Sequence, residues 1–377
     1  MAVTFVPALA GLELYRPGLP IEEVRRTYGL ERVVKLASNE FPLPPFPEVR
    51  QAVLDAVDGL QRYPDGHSSV LREALAELYD RGPDQVVVGS GSCELVYLLA
   101  LAVLRPGDQA VLPAPSFSPY RYVTVLCGAE PVKVRLRDHT HDLEAMAQAV
   151  TPRTRMLVVC NPNNPTGTHV PPSEIARLVE RVPDDVLVVI DEAYVEFVTA
   201  DDREGSLDIQ RAHENVVVLR TFSKIYGLSG LRTGYGLCAP EVREALDKVR
   251  QPFNVNLLGQ LAATEALKYP HRVAERREAN ARLRDRLAAR LAELGRATVP
   301  SQANFVLVDI EGLSVPQDRV CEALLAMGVI VRDGNTLGCP GWARVTVGTE
   351  EEVDFFLEKL ATLEVDRGSA CTAGKGD

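Results

Sequence analysis

Between residues 85 and 238 the chain repeats one unit: a short run of apolar, often β-branched residues, then a stretch with helical spacing. The strand candidates are residues 85–88, 109–112, 132–136, 156–160, 186–190, 216–219 and 234–238. Several are apolar without a break, as strands covered on both faces require. Helical patterns lie between them at 93–104, 142–150 and 173–181, with Ser173 placed to cap the last. This alternation predicts an α/β fold whose large domain is a mostly parallel sheet flanked by helices.

After Pro252 the pattern changes. Residues 257–294 read as an arginine-rich helical stretch interrupted at Pro270. A strand at 304–309, a helix near 317–327, strands at 329–332 and 343–347 and a last helix at 350–363 follow. These suggest a smaller α+β domain. The expected division is an N-terminal arm with part of the small domain (1–44), the large domain (45–255), the small domain (256–366) and a disordered tail (367–377).

Composition excludes several classes of function. The chain has 377 residues, a net charge of −11, 46% hydrophobic and 25% charged residues, which is ordinary globular chemistry. A net negative chain is a poor nucleic-acid glove, because phosphate backbones need a basic face. The longest apolar run, 95–104, is half the length of a membrane span of roughly 20 residues. No basic segment opens the chain, so no signal peptide is expected. The seven cysteines are scattered without a CxxC pair, which suits a reducing cytoplasm. His139 and His141 form an HxH that reads as a polar strand-to-helix connection.

The chemistry gathers around Thr221-Phe222-Ser223-Lys224, just after the strand at 216–219. Arginine outnumbers lysine 34 to 7, so lysine is the scarce cation. A lysine can lose its proton and condense with an aldehyde; an arginine cannot. A lone lysine is usually a surface charge. This one is followed by Ser229-Gly230-Leu231-Arg232, and Ser223 with Arg232 suits a phosphate group. Asp191-Glu192-Ala193-Tyr194 ends a second apolar strand. An acid emerging there is costly unless it meets a cation, and a protonated pyridine nitrogen is one such cation. Taken alone, Asp191 has a lesser reading as a helix N-cap beside a packed tyrosine. Asn161-Pro162-Asn163-Asn164-Pro165-Thr166-Gly167 is a tight turn; the bond after Asn164 is cis or its backbone extended. Gly89-Ser90-Gly91-Ser92 opens a helix, where backbone N–H groups can cradle an anion.

In this order the motifs resemble those of the fold-type-I pyridoxal-phosphate aminotransferases, over nearly the whole chain. Within that class Leu14-Tyr15-Arg16-Pro17-Gly18, Leu36-Ala37-Ser38-Asn39-Glu40, Arg62-Tyr63-Pro64-Asp65, Val331-Arg332-Asp333 and Arg344-Val345-Thr346-Val347-Gly348 look like the histidinol-phosphate aminotransferases. The chain departs from that pattern at Leu19, Phe41, Pro44 and Cys93.

The resemblance implies the coenzyme pyridoxal 5'-phosphate and a role for each matching residue. Lys224 would carry the coenzyme and shuttle a proton, Asp191 would keep the ring nitrogen protonated, and Tyr194 and Asn164 would bond the ring's 3-oxygen. Phe117 would stack on the ring. Gly91, Ser92, Cys93, Ser223 and Arg232 would hold the phosphate, with Tyr63 supplied by the second subunit of a homodimer. Tyr15, Asn39, Arg332 and Arg344 would contact the substrate, the arginines gripping its anionic end. The implied reaction exchanges an amino group between L-histidinol phosphate and 2-oxoglutarate. An aromatic amino-acid aminotransferase, a threonine-phosphate decarboxylase and a non-enzymatic coenzyme-binding regulator are the alternatives. No nucleic-acid or membrane partner is expected.

Overall fold

The computed structural model describes residues 3–12 and 18–364. Tyr15 and the expected tail at 367–377 lie outside the described residues. Among those described, the strands are β1 (Val34–Lys35), β2 (Val86–Gly89), β3 (Gln109–Ala114), β4 (Glu130–Arg135), β5 (Thr154–Cys160), β6 (Leu187–Asp191), β7 (Val216–Thr221), β8 (Gly234–Leu237), β9 (Thr298–Val299), β10 (Phe305–Asp309), β11 (Val329–Ile330), β12 (Arg332–Asp333) and β13 (Trp342–Thr346).

All seven strands expected between residues 85 and 238 join one sheet, in the order β2-β8-β7-β6-β5-β3-β4. Pairing is parallel from β7 through β4, while β8 runs antiparallel to both neighbours. Successive residues of β6 serve opposite faces. Val188 and Ile190 enter one core with Val218, Phe197 and Tyr235, whereas Leu187 and Val189 enter another with Leu95, Val217 and Leu219. Each such side chain stabilises the sheet by roughly 1.5–3 kcal/mol on burial. This two-sided covering explains the unbroken apolar runs. It also fixes the register that leaves Asp191 at the carboxyl end of β6, beside Cys160 of β5. A polar substitution such as Val189→Asp would bury an unpaired charge and break the arrangement.

A third core packs Val34, Leu36, Leu287, Val306, Val345 and Phe356 around an antiparallel sheet of order β12-β13-β10-β9. Its closing helix, Glu350–Ala361, starts on a capping box of Thr349 and Glu352. The stretch 257–294 divides into helices Leu257–Ala266 and Pro270–Glu293, with Pro270 opening the second.

Two expectations need correction. Ser173 does not cap its helix: the helix is Pro172–Val179, because a proline with preset φ and no N–H suits the first helical position. The single strand expected at 329–332 is two. Val329–Ile330 pairs with β1, and after Val331 the chain changes sheets, so that Arg332 faces Arg344 of β13.

Candidate active site

The carboxyl ends of β3, β5, β6 and β7 open on a cavity of about 1730 Å³, lined by Phe117, Asn164, Tyr194, Lys224, Arg332 and Arg344 among others. Lys224 comes from the turn after β7 and is enclosed by elements distant in sequence. Its Nζ donates to the carbonyl oxygens of Asn39 at 3.2 Å and Ser38 at 3.5 Å, and lies 5.5 Å from the centre of the Tyr194 ring. Burial lowers the Lys224 ammonium to about 8; Arg344 and Arg232 push the same way, while Glu40 and Asp191 oppose.

Asp191 is 2% exposed. Its Oδ2 accepts from the Tyr120 hydroxyl at 2.7 Å and its Oδ1 from the Ala193 N–H at 3.1 Å. Burial raises its carboxyl above the ordinary range; these two donors and the charge of Lys224 pull it back. Asp191 thus accepts a local N–H much as a cap residue does, yet it also faces the electrostatic field of Lys224. Tyr194 is pushed up to about 12 by burial, against Arg344 and a hydrogen bond from Asn39.

The turn after β5 carries cis bonds at Asn161–Pro162 and Asn164–Pro165. Asn164 Oδ1 accepts from Arg344 Nη1. Arg344 Nη2 donates to the Ala37 carbonyl at 2.7 Å, and its guanidinium lies 5.3 Å from the Phe305 ring centre. Arg332 stands opposite it in register.

The anion cradle forms at the start of helix Ser92–Val103. Gly91 has φ +83°, and a Cβ there would stand 2.6 Å from Arg232 Nη2. Arg232 Nη1 donates to Ser223 Oγ at 3.2 Å. Gly234 of β8 passes so close that a Cβ would meet the Ser92 nitrogen at 2.4 Å. Two glycines therefore let a guanidinium, a hydroxyl and the 91–93 backbone converge. Cys93 is the second residue of that helix, and burial raises its thiol to about 11.

Tyr63 is apart from these groups. It is 82% exposed and stacks on Phe253 at 4.7 Å. Phe117 borders the cavity and meets Tyr120 edge-on at 5.5 Å. Neither Phe41 nor Pro44 lines the Lys224 cavity. Phe41 stacks on Phe197 at 6.1 Å, Arg276 covers its ring at 4.7 Å, and Arg276 also donates to the Pro44 carbonyl. The HxH is more than a connection. His139 lines the cavity and meets Trp342 edge-on at 5.0 Å, while His141 is buried against the Cys160 carbonyl at 2.7 Å.

Comparisons with known proteins decide the family. The family described as aminotransferase class I and II matches residues 31–360. The chain belongs to the class I and II aminotransferases. This aminotransferase is 46% identical to the histidinol-phosphate aminotransferase of Moorella thermoacetica over 357 residues, covering 94% of this chain and 92% of that one. The enzyme of the same name from Brevibacillus brevis is 43% identical over 350 residues, 93% and 95% of the two chains. Among solved structures, the histidinol-phosphate aminotransferase of Sinorhizobium meliloti in complex with pyridoxal-5'-phosphate matches with a TM-score of 0.88 at 27% identity, over 96% and 98% of the chains. The aspartate aminotransferase of Thermus thermophilus with maleate matches at 0.81 and 26%, over 96% and 100%.

Tyr120 was missed by sequence reasoning. Its signal was weak: a tyrosine three residues after Phe117, with nothing local to show that its hydroxyl meets a carboxylate 71 positions away. Thr346 and Asn304, which hold Asn39, were missed for the same reason. Among the described residues, no helix is long and apolar enough to cross a membrane.

Proposed function

We propose that this aminotransferase reversibly moves the amino group of L-histidinol phosphate to 2-oxoglutarate, giving imidazole-acetol phosphate and L-glutamate. The observation that carries the reading is the pair Arg344 and Arg332, in register on adjacent strands and lining the cavity that holds Lys224. Two guanidinium groups suit a phosphate dianion and equally the carboxylates of the second substrate. The names borne by the similar proteins support the same substrate.

The coenzyme in this reading is pyridoxal 5'-phosphate, and the residues present fit it. Gly91 leaves the space a Cβ would fill beside Arg232, and Ser92 and Ser223 complete a set of anion donors. When bound, the coenzyme supplies a protonated pyridine that withdraws electrons from the carbon whose C–H bond breaks. Asp191 keeps the proton on the ring nitrogen. Lys224 would hold the coenzyme's aldehyde carbon until the substrate's amine takes its place there, and the freed Nζ would move the proton from the substrate's α-carbon to that former aldehyde carbon. Tyr194 and Asn164 bond the ring's 3-oxygen, and Phe117 covers the ring face. Ser92, the 91–93 backbone, Ser223 and Arg232 bind the phosphate.

The protein acts as a homodimer in the cytoplasm. Tyr63 of one protomer reaches the phosphate held by its partner, which accounts for an aromatic ring left in solvent on the single chain. In this reading the divisions near residues 44 and 255 set the large sheet apart from the core that holds Val306, Val345 and Phe356.

A half-reaction screen tests the reading. The coenzyme-loaded protein is mixed with L-histidinol phosphate, phenylalanine, tyrosine or threonine phosphate, and amination of the coenzyme and release of CO2 are followed. Histidinol phosphate is expected to react fastest, without CO2. Preference for an aromatic amino acid, or CO2 from threonine phosphate, overturns the assignment.

A further inference from the structure

Asn39 lines the cavity, yet it is 1% exposed and its polar atoms are already committed. Its N–H donates to Thr346 Oγ1 at 3.0 Å. Its carbonyl accepts from Lys224 Nζ at 3.2 Å and from Asn304 Nδ2 at 3.1 Å. Its Oδ1 accepts from Thr346 Oγ1 at 3.2 Å, and its Nδ2 donates to Tyr194 Oη at 3.0 Å. The backbone holds φ +52°, a left-handed conformation that asparagine tolerates better than most residues.

The donors impose a direction on this network. Thr346 Oγ1 already accepts from the Asn39 N–H, so its own proton goes to Asn39 Oδ1. The other end of the amide, Nδ2, must then face Tyr194. Tyr194 Oη receives that bond, and its own proton is left to point elsewhere. Thr346 lies two residues from Arg344 on β13, on the same face of the strand. One side chain therefore joins the strand carrying Arg344 to the hydroxyl of Tyr194, while its backbone carbonyl holds Lys224.

We propose that Asn39 is a positioning residue that aims the Tyr194 hydroxyl proton into the cavity and ties it to the strand bearing Arg344. This goes beyond a substrate contact and rests on the coenzyme reading above. Donation into Oη makes the phenol a stronger donor through its own proton. Without it, Tyr194 holds an anionic oxygen in front of it less well, and the bound coenzyme keeps its proton to higher pH. The charged and titratable groups facing Tyr194 are Arg344, Asp191 and Cys160, with Lys224 over its ring. None of these is altered by the test.

Asn39→Gly isolates the side chain, because glycine accepts a positive φ and retains the main-chain bonds. Thr346→Val keeps the amide but removes the hydroxyl that orients it. The readouts are the pH midpoint of the bound coenzyme's absorption band and KM for the amino donor. Both variants are expected to raise the midpoint by roughly half a pH unit or more, as loss of one buried hydrogen bond implies. KM is expected to stay within about twofold of the parent. If Asn39→Gly does not fold, Thr346→Val carries the test. A midpoint unmoved in either folded variant overturns the inference: with a raised KM, Asn39 grips substrate; with an unchanged KM, it only packs. A parent protein with no coenzyme band overturns the coenzyme reading itself, and the inference falls with it.

Discussion

The hydroxyl of Tyr120 donates to Oδ2 of Asp191 across 2.7 Å, inside a region from which both side chains are almost wholly closed to solvent. With the Ala193 N–H on Oδ1, each oxygen of that carboxylate has a donor. A buried acid left without one of them becomes harder to ionise. Tyr120→Phe is expected to lower folding stability by about 1–3 kcal/mol at neutral pH. It is also expected to raise the coenzyme's dissociation constant about tenfold, a shift of roughly 1.4 kcal/mol. Chemical denaturation and equilibrium titration with pyridoxal 5'-phosphate measure the two. Parent-like values in both would show that the bond does not sustain the charge on Asp191.

Lys224 gives a signature in the coenzyme-free protein. Its ammonium is lowered from 10.5 to about 8, chiefly by burial. Between those two values the unfolded chain binds more protons than the folded one, so this group makes stability rise with pH across that window. Lys224→Met should flatten that rise. Denaturant midpoints at pH 7.5 and 10 for both proteins provide the comparison. An identical rise in the two would show that the lysine is not buried as described.

Glu196 behaves in the opposite sense. It is buried behind the site, neither carboxylate oxygen has a hydrogen-bond partner, and burial raises it to about 8. The folded state then binds more protons than the unfolded state from 4.5 up to about 8, so stability falls as pH rises through that range. Glu196→Gln removes the ionisation at constant size. The parent is expected to lose more stability between pH 6 and 9 than the variant. Parallel losses would show that the carboxyl does not titrate there.

Arg344 presents a fork that a lysine cannot reproduce. Arg344→Lys should raise KM for both the amino donor and 2-oxoglutarate by about ten- to a hundredfold, the loss of one bidentate charge-assisted contact. Steady-state kinetics with each substrate varied reads the effect. A rise confined to one substrate would show that the arginine serves only that one.

The strands were legible because β5, β6 and β7 each carry a run whose alternate residues fill two separate cores. The placement of Lys224, Asp191 and Asn164 was legible because Asp191 ends such a strand and the other two follow one. What stayed hidden depends on long-range meetings. The 2.7 Å contact of Tyr120 with Asp191 and the bonds of Asn39 to Thr346 and Tyr194 join segments 71 to 307 residues apart. No local pattern encodes which hydroxyl reaches which carboxylate. The break at Val331 was missed because β-branched residues favour extension without saying which sheet receives them.

Lys224 is expected to carry the coenzyme beside Asp191. Borohydride reduction of the coenzyme-loaded protein, followed by proteolysis and mass spectrometry, locates the attachment. The reduced coenzyme's mass is expected on the peptide containing Lys224, with none on that peptide in Lys224→Ala. A protein that binds the coenzyme but is labelled at another lysine, or at none, would contradict that expectation.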